Sequence, residues 1–187
     1  MGEMVEGGNS MVEATYLDRR PLMAAAVLLG IGMGGFVDGI VLHQLLQTHN
    51  MLSAEEYYPN YGVPAEELVV NLEINMFWDG LFHAFTWLTT LAGIALLWRA
   101  GQRADVPWST RTLVGGMLLG WGLFNLVEGI IDHHILHIHH VVERADHIGW
   151  DLAFLGASLV LCLAGWGLMH AGRNDRAVRG EAQSRLD

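Results

Sequence analysis

The chain has 187 residues, 52% of them apolar and only 16% charged, and its mean hydropathy is positive. That is one domain with too little charge for an ordinary soluble surface, so a membrane class comes first and the formal net charge of -10 has to be read segment by segment. The single cysteine, Cys162, sits in an apolar run as a small hydrophobe, which excludes an internal disulfide framework and a thiolate-rich metal site.

In chain order, a polar arm over residues 1–20 ends in Arg19 and Arg20, and four apolar runs follow at 21–46, 74–98, 112–136 and 148–171. Each is long enough for a hydrocarbon core of about 30 Å, which takes about 20 helical residues. The first begins too far into the chain, and continues too polar, for a cleaved signal peptide. The expected fold is therefore all-α: an integral membrane four-helix bundle over 21–171, with a polar arm before it and a tail over 172–187. The loop over residues 48–73 carries Tyr57, Tyr58, Pro59, Tyr61 and Pro64 and reads as a lid over one mouth of the bundle.

Arginine gives the orientation. Arg19 and Arg20 precede the first run, Arg99, Arg103 and Arg111 lie between the second and third, and Arg173, Arg176, Arg179 and Arg185 follow the fourth. The other two loops hold Glu55, Glu56, Glu66, Glu67, Glu143 and Asp146 against one base, Arg144. The positive-inside rule then puts both termini in the cytoplasm of a multi-pass protein of the cell's inner (plasma) membrane, in contact with the lipid bilayer.

The chain repeats itself. Val37-Asp38-Gly39-Ile40-Val41-Leu42-His43 aligns with Val127-Glu128-Gly129-Ile130-Ile131-Asp132-His133 at an offset of 90, and Leu46, Gln47 and His49 continue the register onto Leu136, His137 and His139. Trp78-Asp79 aligns with Trp150-Asp151 at an offset of 72. Two related transmembrane hairpins are expected, arranged about a pseudo-two-fold axis along the membrane normal with a site between them.

Counting about 1.5 Å per residue from the arginine boundary puts Asp38, His43, Asp79, His83, Glu128, His133 and Asp151 in one slab ~24–35 Å up. Ionisable groups at that depth are costly and normally face an interior where they find partners. Facing helices that carry carboxylates and imidazoles build metal sites in bundles. The expected ligands are His43, His83 and His133, with Asp79 and Glu128 as carboxylate ligands or bridges. Asp38 and Asp151 are expected behind them, fixing imidazole tautomers. His49 and His139 offer further ligands, for a second site or a path to the first, with Asp132, His137 and His140 beside them. The five-residue spacing of Asp38–His43 and of Glu128–His133 spreads each pair by about 140° on an α-helix. Two adjacent ions, or one ion with outer carboxylates, accommodate that spread. Imidazole and carboxylate without thiolate suit copper, iron, zinc or nickel.

A hydrogen-bonded network that merely joins the helices, and a proton or ion pathway without metal, stand beside the metal reading. Residues 21–37 and 112–124 carry no charge, which ranks conduction last. His134 reads as facing headgroups or a neighbour, His147 as a helix cap or a ligand, and His170 as interfacial. Met33, Met51 and Met76 read as packing, and the Gly30, Gly32, Gly34, Gly35 stripe as close helix contact rather than a nucleotide loop. No basic aromatic stripe for nucleic acid is present.

The motifs Asp38-Gly-Ile-Val-Leu-His43-Gln-Leu-Leu-Gln47-Thr-His49-Asn50-Met51, Trp78-Asp79-Gly-Leu-Phe-His83-Ala and Glu128-Gly-Ile-Ile-Asp132-His133-His-Ile-Leu-His-Ile-His139-His140-Val resemble those of bacterial predicted membrane proteins of domain-of-unknown-function family 2243. The resemblance covers nearly all of residues 21–171. Its pattern has His-His-Met after the first run, where this chain has Asn50 in place of the second histidine, leaving His49 as the better ligand candidate. It implies copper handling or a respiratory role, with a respiratory oxidase or its assembly factors as partners. Three functions are expected in order: a copper- or iron-dependent membrane oxidoreductase, a copper carrier for oxidase assembly, and an ion-conducting module. A homo-oligomer is compatible with each.

Overall fold

The computed structural model describes residues 17–54, 65–143 and 146–175, with side chains from residue 69 onward in the second stretch. The N-terminal arm, the tyrosine- and proline-bearing lid, the side chains of Glu66 and Glu67, Arg144 and the last three arginines lie outside the described residues.

Four helices carry the fold. Helix α1 (Arg20–Val37) opens on Pro21, whose fixed φ and missing N–H suit a first helical turn. It continues into a wider-wound segment, Asp38–Leu46. Helix α2 spans Ala65–Gly101 and α3 spans Thr110–Glu128, the latter continued by a second wide segment, Gly129–Ile135. Ser109 caps α3, its Oγ accepting from Thr112 N at 3.1 Å. Helix α4 is His147–Ala171. All four are long and apolar enough to cross a membrane. Helix α2 starts well before the apolar run at residue 74. The stretch Ala65-Glu-Glu-Leu-Val-Val-Asn-Leu-Glu73 is rich in helix formers but polar, so hydropathy alone does not mark its beginning.

The helices pack in the order α2, α1, α3, α4, with α1 and α3 as the central pair. Two glycines make that pairing close. A Cβ on Gly30 would lie 2.1 Å from Met117 O, and one on Gly120 would lie 2.0 Å from Val27 O. Backbone cannot yield to either, so the α1–α3 distance depends on hydrogen at both positions. Gly30→Ala and Gly120→Ala are each expected to cost about 1–3 kcal/mol through overpacking, seen as a lower melting temperature in detergent. Gly156→Ala, with nothing within 4 Å of its Cβ, is expected to cause no loss.

Helices α2 and α4 turn outward exposed Trp87, Trp98, Leu159, Val160 and Trp166, an apolar surface suited to lipid. One end of the bundle gathers Arg19, the α2–α3 connection and the segment after α4. The Arg19 guanidinium donates to Gly172 O and Asp175 O, and Asp18 N bonds Asp105 O in the α2–α3 connection. At the opposite end the loops after α1 and α3 cross, with Ala54 N donating to Ile138 O at 3.1 Å and Glu143 N to Thr48 O at 3.3 Å. The histidine-rich segments meet there.

Candidate metal centre

The wide segments resolve the five-residue spacing. In an α-helix Asp38 and His43 would diverge by about 140°. Residues 38–46 and 129–135 are instead π-helical, with hydrogen bonds reaching back to i−5, so the fifth residue returns over the first. His43 Nε2 thus comes within 3.2 Å of Asp38 Oδ2, and His133 Nε2 within 3.0 Å of Glu128 Oε1.

Just after each segment comes a left-handed residue, Gln47 (φ 49°) directly after the first and His137 (φ 54°) two residues past the second. Neither is glycine, and such a conformation costs of order 1 kcal/mol, retained where the surrounding bonds dictate it. Here Thr48 N donates to Leu42 O and Ile138 N to Asp132 O, both at 3.0 Å. The reversal carries His49 and His139 back into the interior. His49 Nε2 lies 3.6 Å from Asp38 Oδ1, and His139 Nε2 lies 2.9 Å from Glu128 Oε1.

Two buried triads result, Asp38/His43/His49 and Glu128/His133/His139, each with its three ligand-type atoms within 4.8 Å of one another. No member is more than 7% exposed. The His49 and His139 rings stack face to face, 4.8 Å apart and 7° from parallel, so the two triads adjoin.

Of the other ring nitrogens, three are hydrogen-bonded from outside and the fourth, His133 Nδ1, faces a carboxylate without forming an aligned bond. His43 Nδ1 is 3.1 Å from Asp79 Oδ1, and His133 Nδ1 is 3.2 Å from Asp151 Oδ1. His49 Nδ1 donates to Val141 O and His139 Nδ1 to Met51 O, each at 3.1 Å and each across to the opposite loop. Those two carboxylates also fix the loops: Met51 N donates to Asp79 Oδ1 at 2.9 Å and Val141 N to Asp151 Oδ1 at 3.0 Å. The second oxygens take Asn50 Nδ2 at 2.7 Å and His140 Nδ1 at 2.8 Å.

A carbonyl oxygen only accepts, so the proton of His49 and of His139 stands on Nδ1. As neutral imidazoles, both then aim an Nε2 lone pair at a carboxylate oxygen. Buried atoms facing each other in this way require a cation or extra protons between them. At the site, Asp38 Oδ1, His43 Nε2, His49 Nε2, Glu128 Oε2 and His133 Nδ1 are buried without a hydrogen-bond partner among the described residues. The His43–Asp38 contact, though close, is not aligned as a hydrogen bond. Outside the spans, burial holds His49 below the usual imidazole range against the pull of Asp38. Burial also pushes His139 down, but the closer Glu128 outweighs it and holds His139 above that range.

The sequence reading puts Asp79 with the ligands and Asp38 among the outer partners; in the structure the π segment turns Asp38 toward His43 Nε2, while Asp79 reaches His43 Nδ1 from α2. His83 is not brought into either triad. Its Nδ1 donates to Asp79 O at 2.7 Å, one turn back on its own helix, and its Nε2 abuts Gly39, where a Cβ would be 2.8 Å away. Asp132 is half-buried and its carboxylate reaches no histidine among the described residues. Of the remaining histidines, His140 is tied to Asp151, while His134, His137 and His147 are exposed. His170 lies at the arginine end against Trp166 and Arg173. Met33 and Met76 face outward. The backbone carbonyls of Met51 and Val141 have no side-chain signature in the sequence; their only trace is that they stand 90 residues apart.

These features define a predicted multi-pass membrane protein with four candidate helical spans and two buried His/carboxylate clusters able to hold metal. The chain belongs to DUF2243, a family of predicted membrane proteins, which matches residues 25–172 and so takes in both triads and nearly all of the helical framework. Comparison with curated proteins and with solved structures gives no match.

Proposed function

We propose that the protein is a membrane metalloprotein whose two triads each hold one divalent transition-metal ion, iron or copper, and that the paired centre serves an oxidoreductase reaction on the non-cytoplasmic side. The observation that carries this reading is the convergence of four Nε2 atoms on two buried carboxylates, while three Nδ1 atoms bond Asp79 and two backbone carbonyls and the fourth, on His133, faces Asp151 at 3.2 Å. Metal-ligating histidines are held in this manner, by a carboxylate or carbonyl on the far nitrogen. Two imidazoles with one carboxylate leave coordination positions open, the donor set of non-haem iron sites. Bound there, such an ion supplies a redox couple and Lewis acidity.

Charge supports two ions. Asp38, Asp79, Glu128 and Asp151 carry four negative charges in a buried layer, which two divalent cations neutralise with all four imidazoles neutral. A cleft of about 210 Å³, lined by His43, Gln44, Gln47, Asn50, Leu72, Asn75, Met76 and Asp79, reaches the first triad at His43 and suits a small substrate with both apolar and polar faces.

The reading includes a duplicated hairpin. It is supported by matching contacts at the 90-residue offset, with His43, His49 and Met51 making the bonds that His133, His139 and Val141 make. It also includes cytoplasmic termini, supported by the arginines at the end where Arg19 meets Asp175.

A copper carrier for a respiratory oxidase is the second reading, favoured by the exposed His134, His137 and His147 near the second triad. A metal-free network of four imidazolium–carboxylate pairs balances the same charge. The melting temperature separates the metal readings from that network. Protein produced without added transition metals is expected to melt lower than the same protein reloaded, by a margin that grows with ion concentration, about 2.7 kcal/mol per ion at 100 times its Kd. An unchanged melt with iron, copper and zinc alike would support the metal-free network.

A further inference from the structure

We propose that the second half carries an additional, outer metal-ion site formed by His137, His140 and His147, which has no counterpart in the first half. The residues at the matching positions are Gln47, Asn50 and Asn75, at offsets of 90, 90 and 72. Each amide of the first half is thus an imidazole in the second, and His134 stands likewise for Gln44.

The shared structural task does not need imidazole. Asn50 Nδ2 donates to Asp79 Oδ2 at 2.7 Å, and His140 Nδ1 donates to Asp151 Oδ2 at 2.8 Å. An amide therefore suffices for that bond, and what His140 adds is its second nitrogen. Since Asp151 only accepts, the proton of a neutral His140 stands on Nδ1 and Nε2 keeps a lone pair. The amide at position 50 offers no such imidazole lone pair.

The neighbours are within reach. The His140 and His147 rings are centred 4.1 Å apart, and those of His137 and His140 6.0 Å apart. An ion about 2.0–2.1 Å from each nitrogen keeps two ligating ring centres no more than about 6.5 Å apart. As they stand the three rings do not aim their nitrogens at one point, with His140 and His147 stacked; His137 and His147 are exposed, and rotation about their side-chain bonds would bring a nitrogen of each beside His140. His137 is delivered by the left-handed turn, and His147 by the first turn of α4. His147 is not a cap for that helix: the residue before α4 is Asp146, and no side-chain bond caps the end. Three imidazoles without a thiolate suit zinc, copper(II), nickel or iron(II), and exposure makes the site exchangeable.

This site stands independently of the buried triads, and its test separates the two. Untagged full-length protein in detergent is titrated with Zn²⁺ and bound metal is counted after desalting and by calorimetry. The variant His137→Gln/His140→Asn/His147→Asn, which installs the first half's residues, is expected to bind one Zn²⁺ fewer and to keep its metal-free melting temperature. The variant His43→Ala/His133→Ala is expected to retain that same equivalent. Should the triple variant melt lower without metal, His147→Asn alone, which removes an exposed ring, is expected to weaken that equivalent about tenfold or more. Equal stoichiometry and affinity in wild type and the well-folded variant, or no effect of His147→Asn, would overturn the outer site.

Discussion

His43→Ala and His133→Ala are each expected to remove one metal ion per chain and to leave the other triad loaded, with both ions lost in the double variant. Each of these histidines is the residue its π segment turns back over the carboxylate, and its Nε2 is one of three converging donors. Truncation leaves a two-donor remnant and an unbalanced carboxylate in a layer where an uncompensated charge is expensive. His83→Ala is the informative control. His83 is as deep as the triads but bonds only its own helix's backbone through Nδ1, so its loss is expected to leave metal content unchanged. Metal counting on the four variants checks this. Loss of metal in His83→Ala would move the site toward α2 and away from His49 and His139.

The second large effect is expected one layer out. Asp79→Asn and Asp151→Asn should weaken the ion on their own side about 10- to 100-fold, the range for residues that orient a metal-bound imidazole. Both carboxylates accept a backbone N–H on Oδ1 and a further side chain on Oδ2; Asp79 Oδ1 also bonds His43 Nδ1, while His133 Nδ1 faces Asp151 Oδ1 at 3.2 Å without aligning as a hydrogen bond. An amide keeps one acceptor and puts a donor where a second donor already stands. The histidine ring and the loop that returns His49 or His139 are both loosened. Competitive titration against a chelator of known affinity reads the change. Equal affinity in wild type and both variants would mean that Asp79 and Asp151 hold loops only.

Much of this architecture is legible in the sequence because a bilayer imposes simple rules. Twenty apolar residues announce a helix, arginine marks one end, and ionisable residues at a common depth mark a polar layer. The start of α2 escapes that reading because Glu66, Glu67, Asn71 and Glu73 hide a helix that runs past the apolar stretch. The five-residue spacing of Asp38–His43 and Glu128–His133 suits one ion only when the segment is wound wider than an α-helix. Nothing in Asp-Gly-Ile-Val-Leu-His itself announces the change of pitch, which is secured by contacts the loops make later in the chain. His83, four residues from Asp79 on α-helical α2, does share a face with it, but its Nδ1 turns to the backbone of its own helix, which spacing alone does not reveal. His49 and His139 are signalled only by their matching places, six residues after His43 and His133. The carbonyls that hold them, on Met51 and Val141, are visible only once both loops have crossed.

The most direct measurement is the metal content of the untagged wild-type protein, purified from membranes and again after reloading with iron, copper and zinc in turn. Two tightly held equivalents of iron or copper that survive gel filtration, with X-ray absorption showing imidazole nitrogen and oxygen ligands, are the expected result. Absence of any retained ion under all three loadings would contradict the metal centre and leave the buried layer as a proton-balanced network.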